Sequence, residues 1–151
     1  MNNLPPAPLS LPAVPMAEAP LSAEPDRAAA HLSLELDAGA VSRLRELDPD
    51  GRHGVVTRVM KAFEASLSRM MGQLSAQLVD PGRGDPAVLV SVAHTLKSSS
   101  ASVGAMSLAR ACAEVEQGVR SGTLSDIDAQ VRRLVAECEG ALAAVTAMLR
   151  Q

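Results

Sequence analysis

Residues 85–105 read DPAVLVSVAHTLKSSSASVGA, and the stretch opens and closes as a helix does. Asp85 with Pro86 behind it supplies an N-cap and a first-turn proline, whose missing N–H is one that a helix start leaves unbonded anyway. Leu89, Val92, Leu96 and Val103 then recur at helical spacing, and Gly104 ends or sharply bends the run. At about 100° per residue these apolar positions cluster on one side, and His94 falls roughly opposite their centre, facing water. Ala87, Val90, Ser91, Ser98 and Ala101 share its face, with Lys97 one turn along on the flank. Small uncharged residues are unusual there, because Glu, Lys and Arg are the ordinary occupants of a solvent face.

The same period continues on either side. Asp37 is placed to cap a short, lid-like helix with Val41, Leu44 and Leu47, stopping before Pro49. A long helix is predicted from about Gly54 to Val79, striped by Val56, Met60, Phe63, Leu67, Met70, Leu74 and Leu78, before DPGRGDP breaks the chain. After the quoted helix, Leu108, Cys112, Val115 and Val119 mark another that closes at RSG. Ser125 is the expected cap of the last, carrying Ile127, Val131, Leu134, Cys138, Leu142, Val145 and Leu149. Strand signals are missing, since no β-branched or aromatic run alternates at period two. Four amphipathic helices joined by short turns cannot bury their stripes separately. The expected fold is therefore all-α, an antiparallel up-down-up-down four-helix bundle with a short additional N-terminal helix.

A chain of 151 residues suits one domain. Residues 1–33 are laced with Pro and Ala, and each proline removes a backbone donor and clashes with the preceding turn, so they are expected to form a disordered arm or linker, leaving 34–151 for the bundle. The start lacks the basic n-region and unbroken apolar core of a signal peptide, and no later segment is apolar for the length of a membrane span. A cytoplasmic protein is expected. The formal charge is −3, basic residues form no stripe, and Phe63 is the single aromatic, which argues against nucleic acid as a partner. Cys112 and Cys138 lie far apart with no Cys/His cluster around them, and read as reduced thiols inside helices rather than a disulfide or metal site.

A surface histidine without a role is the ordinary reading of a residue such as His94, and its neighbourhood weighs against it. His31 lies in the arm and His53 in a DPDGRHG turn, so neither has a comparable setting. A di-iron bundle needs Glu-x-x-His pairs, and the residue three before His94 is Ser91. Nucleophilic hydrolysis wants a base oriented by a third group in a pocket, whereas this helix presents an open face on which no Asp or Glu is expected to pair with the ring. An exposed imidazole can instead accept and hand on a group itself. A phosphoryl group suits a wet helix face, which carries close to two added negative charges that a core could not. Lys97 could offset part of that charge, and the Ser98 hydroxyl could donate to a phosphoryl oxygen.

The run AHTLKSSSASVGA followed by LARACAEVEQGVRSG resembles the signature of histidine-containing phosphotransfer (HPt) domains, approximately H-x-L-K-G/S-S-x-x-x-x-G. The likeness takes in LRELDPDG, the VMKAFEASL segment with Phe63, and the E-x-x-x-R-x-G end of the fourth helix. It implies that His94 is the phosphoacceptor and Lys97 its charge partner, with Gly104 as the turn glycine. Ser98 stands where the family often has a glycine that allows close approach to the imidazole. Glu116 stands where some members have a glutamine that bonds the histidine; an inward carboxylate there would be less welcoming to phosphate, and its role is left open, with Gln117 beside it.

Such domains are relay intermediates rather than enzymes, taking phosphate from an aspartyl phosphate on one receiver domain and passing it to another. The resemblance implies no cofactor on this chain, with Mg²⁺ held by the partner receiver. The chain has neither a P-loop nor a kinase glycine-rich loop. The implied partners are receivers of a hybrid sensor kinase or response regulators, docking transiently through Ala87, Val90, Ser91 and Ala101 around His94, with the protein a monomer. The phosphoacceptor hairpin of a sensor kinase usually has an acidic residue after its histidine, and Thr95 stands there instead. The alternative is a non-phosphorylated adaptor that binds receivers or other signalling proteins. Whether the domain is free-standing or was joined to a hybrid kinase through the arm stays open, as do the identities of donor, acceptor and output.

Overall fold

The structure, a computed structural model, describes residues 35–151. The expected arm, residues 1–33 with His31, lies outside them, as does Leu34. Five helices follow in order: α1 (Ala38–Glu46), α2 (Val55–Gln77), α3 (Pro86–Val103), α4 (Met106–Arg120) and α5 (Ile127–Leu149). There is no strand among the described residues. Each long helix packs against two others, α2 on α3 and α5, and α4 on the same pair, which closes the four into the expected bundle; α1 lies across α2 and α3.

The apolar stripes meet in one core. Met60, Leu67, Leu74, Leu89, Leu96, Leu108, Val115, Val131, Leu134 and Val145 are all sealed from solvent, each large side chain contributing about 1.5–3 kcal/mol by leaving water. Phe63 joins them. Cys112 and Cys138 are free thiols buried in α4 and α5, and burial foremost pushes both up to about 12.

The termini of α3 are as the sequence reading has them. Asp85 caps it by accepting from the Ala87 N–H at 2.8 Å, and Pro86 opens its first turn. Gly104 closes it at φ +89°, a left-handed conformation that L side chains rarely adopt. A Cβ at Gly104 would sit 2.8 Å from the backbone nitrogen of Asp37, whose N–H donates to the Gly104 carbonyl at 2.8 Å. The glycine therefore ends α3 and lets the start of α1 press against that end. Asp37 in turn caps α1 through the Ala40 N–H at 2.8 Å.

Three local expectations need correction. Leu47, expected on the α1 stripe, is 68 % exposed, because α1 stops at Glu46 and Leu47 is already its C-cap. Val79 is 82 % exposed; α2 ends at Gln77 rather than reaching it. The cap of α5 is Asp126, not Ser125: its carboxylate accepts from the Ala129 N–H at 2.9 Å, and an ionised oxygen is the stronger acceptor beside the positive end of a helix. At α2, the N-cap Gly54 has no side chain to offer, and buried Asp48 serves instead, accepting from the N–H groups of His53 at 3.0 Å and Val55 at 3.2 Å. Burial works to raise the Asp48 carboxyl, but the Val55 and His53 N–H groups hold it below its ordinary value.

Candidate functional site

The two faces of α3 separate cleanly. Leu89, Val92, Ala93, Leu96, Ser100 and Val103 point into the bundle, whereas the His94 side chain is 68 % exposed. Ala87 and Ser91 are exposed beside it and Val90 is half-buried. They line a shallow depression with His94, whose far wall is α4, through Glu116, Val119 and Arg120. On the other flank, Ala87, Val88 and Ser91 border a second depression against Gln73, Ala76 and Gln77 of α2. Ser98 is exposed and Ala101 half-buried, and neither lines the depression around the ring.

His94 is not without a carboxylate. Glu116, reaching across from α4, is only 4 % exposed and places Oε1 at 2.7 Å from the ring Nδ1. The expectation that no Asp or Glu pairs with the ring is overturned. The sequence does carry a signal for it: Glu116 lies four residues after Cys112 and eight after Leu108, on the buried stripe of α4, where an acidic residue needs a partner. That partner could not be found from spacing within α4, because His94 and Lys97 arrive from another helix. Gln117, one residue on, is exposed.

Two cations join the imidazole around Glu116. The Lys97 ammonium donates to Oε2, and the Arg120 guanidinium lies 3.8 Å from Oε1. The hydrogen bond from Lys97 and then that from His94 keep the carboxyl below the usual carboxylate range, outweighing its burial. An ionised carboxylate can only accept, so the proton in the His94–Glu116 bond belongs to Nδ1. In the neutral ring, Nε2 is then the nitrogen with the free lone pair.

The other two named residues are engaged locally at rest. Lys97, 40 % exposed, is tied to Glu116 rather than standing free over the ring. The Ser98 hydroxyl donates to the carbonyl of Thr95 at 3.3 Å. His53 is exposed in the α1–α2 turn, its N–H bonded to Asp48. No group of three or more His, Cys, Asp or Glu residues stands together as a metal site among the described residues, and no described helix is long and apolar enough to cross a membrane.

A family model described as Hpt domain matches residues 58–148, more than half of the chain. Neither the curated proteins nor the solved structures contain a significant match.

Proposed function

Because the chain belongs to the HPt domain family, whose members are phosphotransfer modules of two-component signalling, we propose that it relays a phosphoryl group between aspartates of receiver domains through His94. The observation that carries this reading is an exposed imidazole whose Nδ1 is pinned by a buried carboxylate. A fixed tautomer and ring orientation leave Nε2 as the nucleophile and remove the search over ring rotamers from the reaction.

The step is a displacement at phosphorus. Nε2 attacks the phosphorus of an aspartyl phosphate, an N–P bond forms, and the P–O bond to the donor aspartate breaks with its electron pair returning to that carboxylate. This chain supplies no metal ligand to that step; Mg²⁺ held by the partner receiver would offset the charge of the transferring group. Lys97 is long, partly exposed and one turn along α3 from His94, so its ammonium, bonded to Glu116 at rest, can turn toward the phosphoryl oxygens. Ser98 can exchange its bond to Thr95 for one to the same oxygens. Ala87, Val90 and Ser91 project little beyond the backbone and let a partner approach the ring closely, with Ala101 extending that low surface along α3. The partners this fits are receivers of a hybrid kinase or of response regulators, bound transiently by a monomeric, cytoplasmic module.

The test is phosphotransfer from a phosphorylated receiver to wild type and to His94→Gln. Acid-labile, base-stable label that disappears with the substitution supports the relay. A panel of receivers that binds the bundle yet leaves wild type unlabelled would replace it with the adaptor reading.

A further inference from the structure

The buried carboxylate has a consequence for the phosphorylated state. When neutral His94, protonated at Nδ1, attacks through Nε2, the product ring carries both the new N–P bond and the Nδ1 proton, and so bears a positive charge. In water that proton is readily lost near neutral pH, leaving a neutral phosphoimidazole. Its N–P bond is harder to break, because the departing nitrogen must leave as an imidazolate or find a proton first.

Resting on the reading of His94 as phosphoacceptor, we infer that Glu116 keeps the Nδ1 proton on the ring through the whole transfer cycle, so that phospho-His94 is held as the phosphorylimidazolium. Oε1 is already at hydrogen-bond distance from Nδ1, on a side chain only 4 % exposed. A charge-assisted bond between an imidazolium N–H and a carboxylate shielded from water is stronger than the bond to a neutral amide oxygen, which a glutamine at this position would offer. Lys97 reinforces the effect. At rest it shares the charge of Glu116; when it turns to the phosphoryl oxygens, that charge is left to the ring, and the hold on the Nδ1 proton tightens as the phosphoryl group arrives. Phosphoryl loading and proton retention are thus coupled through one lysine.

The cycle balances without a proton crossing to solvent. On loading, the Nε2 lone pair becomes the N–P bond. On unloading, an acceptor carboxylate oxygen attacks phosphorus, the N–P bond breaks, and its electrons return to Nε2 of a neutral ring still protonated at Nδ1. Among the described residues, the charged groups at the ring and its carboxylate are Glu116 and Arg120 from α4 and Lys97 from α3 itself; α2 lines its side of α3 with Gln73, Ala76 and Gln77, and α1 meets α3 at its far end, at Gly104. Glu116 is the only anion among them, and it acts as a positioning residue through the ring.

The test uses the full chain loaded with phosphoramidate, a small donor that phosphorylates exposed imidazoles directly, so no receiver is needed. Wild type and Glu116→Gln are compared, with His94→Gln identifying the signal of His94. In wild type, ¹⁵N-edited spectra should show the Nδ1 proton retained on phospho-His94 from about pH 6 to pH 9, with a nearly flat rate of phosphoryl loss. In Glu116→Gln the proton should disappear within that range, and the rate at about pH 8 should fall by roughly tenfold or more, because each step of about one in pH beyond the ring's midpoint leaves about a tenth as much of the protonated form. Superimposable profiles from two folded proteins would overturn the inference. So would a wild-type ring that loses its Nδ1 proton below about pH 8, which decides the matter even if the variant does not fold. Failure of a receiver panel to label wild type would count against the relay alone and leave this result standing.

Discussion

Glu116 on α4 and His94 on α3, separated by 22 residues in sequence, are joined by a 2.7 Å hydrogen bond from Nδ1 to Oε1. The bond crosses from a sealed carboxylate to an open imidazole, so it links the interior of the bundle to its surface. The same carboxylate receives Lys97, and the site works as a triad in which one buried charge orders two exposed side chains.

Removing the lysine should slow the transfer. Lys97→Met leaves His94 and Glu116 in place but withdraws the ammonium that can meet the phosphoryl oxygens. Rates of receiver-to-His94 transfer should drop about 10-fold to 100-fold, at or below the loss seen for a fully desolvated donor, since Lys97 is 40 % exposed. Lys97→Arg should recover part of the loss because charge is restored. Single-turnover transfer measured for the three proteins checks this, and an unchanged rate in Lys97→Met would remove Lys97 from the mechanism.

Glu116 also shapes the acid stability of the bundle. Its carboxyl is lowered from an ordinary value of 4.5 by Lys97 and then His94. A carboxyl depressed in the folded state adds stability that is present in full above the unfolded value and is lost as pH falls through the folded one. Urea midpoints of wild type should therefore fall below about pH 4.5, and those of Glu116→Gln should fall less steeply over the same window. Asp48, lowered from 3.8 with the Val55 and His53 N–H groups overcoming its burial, adds a second component that Asp48→Asn removes. Parallel acid limbs in wild type and both variants would contradict the assignment.

Gly104→Ala should weaken the fold without touching the chemistry. The substitution forces a side chain onto a backbone at φ +89° and drives a Cβ to 2.8 Å from the Asp37 nitrogen. The combined strain and clash should cost about 2 kcal/mol or more, read as a lower urea midpoint at unchanged m-value. The folded fraction should still accept a phosphoryl group at His94, because the displaced contact is between α1 and the end of α3.

The thiols should be silent until the bundle opens. Burial chiefly, with Glu116 and Glu137 around Cys112 and with Cys112, Glu137 and Glu139 around Cys138, pushes both to about 12. A disulfide reagent at about pH 8 should find almost no thiolate in the native protein and both cysteines in urea. Rapid reaction in the native state would mean that α4 and α5 separate locally far more often than their sealed interface implies.

Much of this molecule was legible in one stretch. Asp85, Pro86 and Gly104 delimit α3 by backbone chemistry that acts within a few residues: an oxygen near a free N–H, a ring that fits a first turn, a residue that tolerates positive φ. The stripe opposite His94 marks the inward face by periodicity alone, and the number and order of the helices follow from repeats of the same pattern. Local reading fails where two nearby residues compete for one role, as Ser125 and Asp126 do for the α5 cap, or where an apolar residue falls just beyond a helix end, as Leu47 does.

Glu116 belongs to a different class. Its own helix shows only that a carboxylate sits on a buried stripe, and nothing in α4 says what neutralises it. The answer depends on how far α3 lies from α4 and how the two are rotated about their axes, which is set by the packing of the whole core. Sequence by itself determined the helices, their inward faces and the exposed histidine, because those depend on short-range backbone geometry and on which side chains leave water. Only tertiary structure decided that a buried acid on one helix holds the imidazole and the lysine of another, because hydrogen bonds form between atoms brought together in space, whatever their distance along the chain.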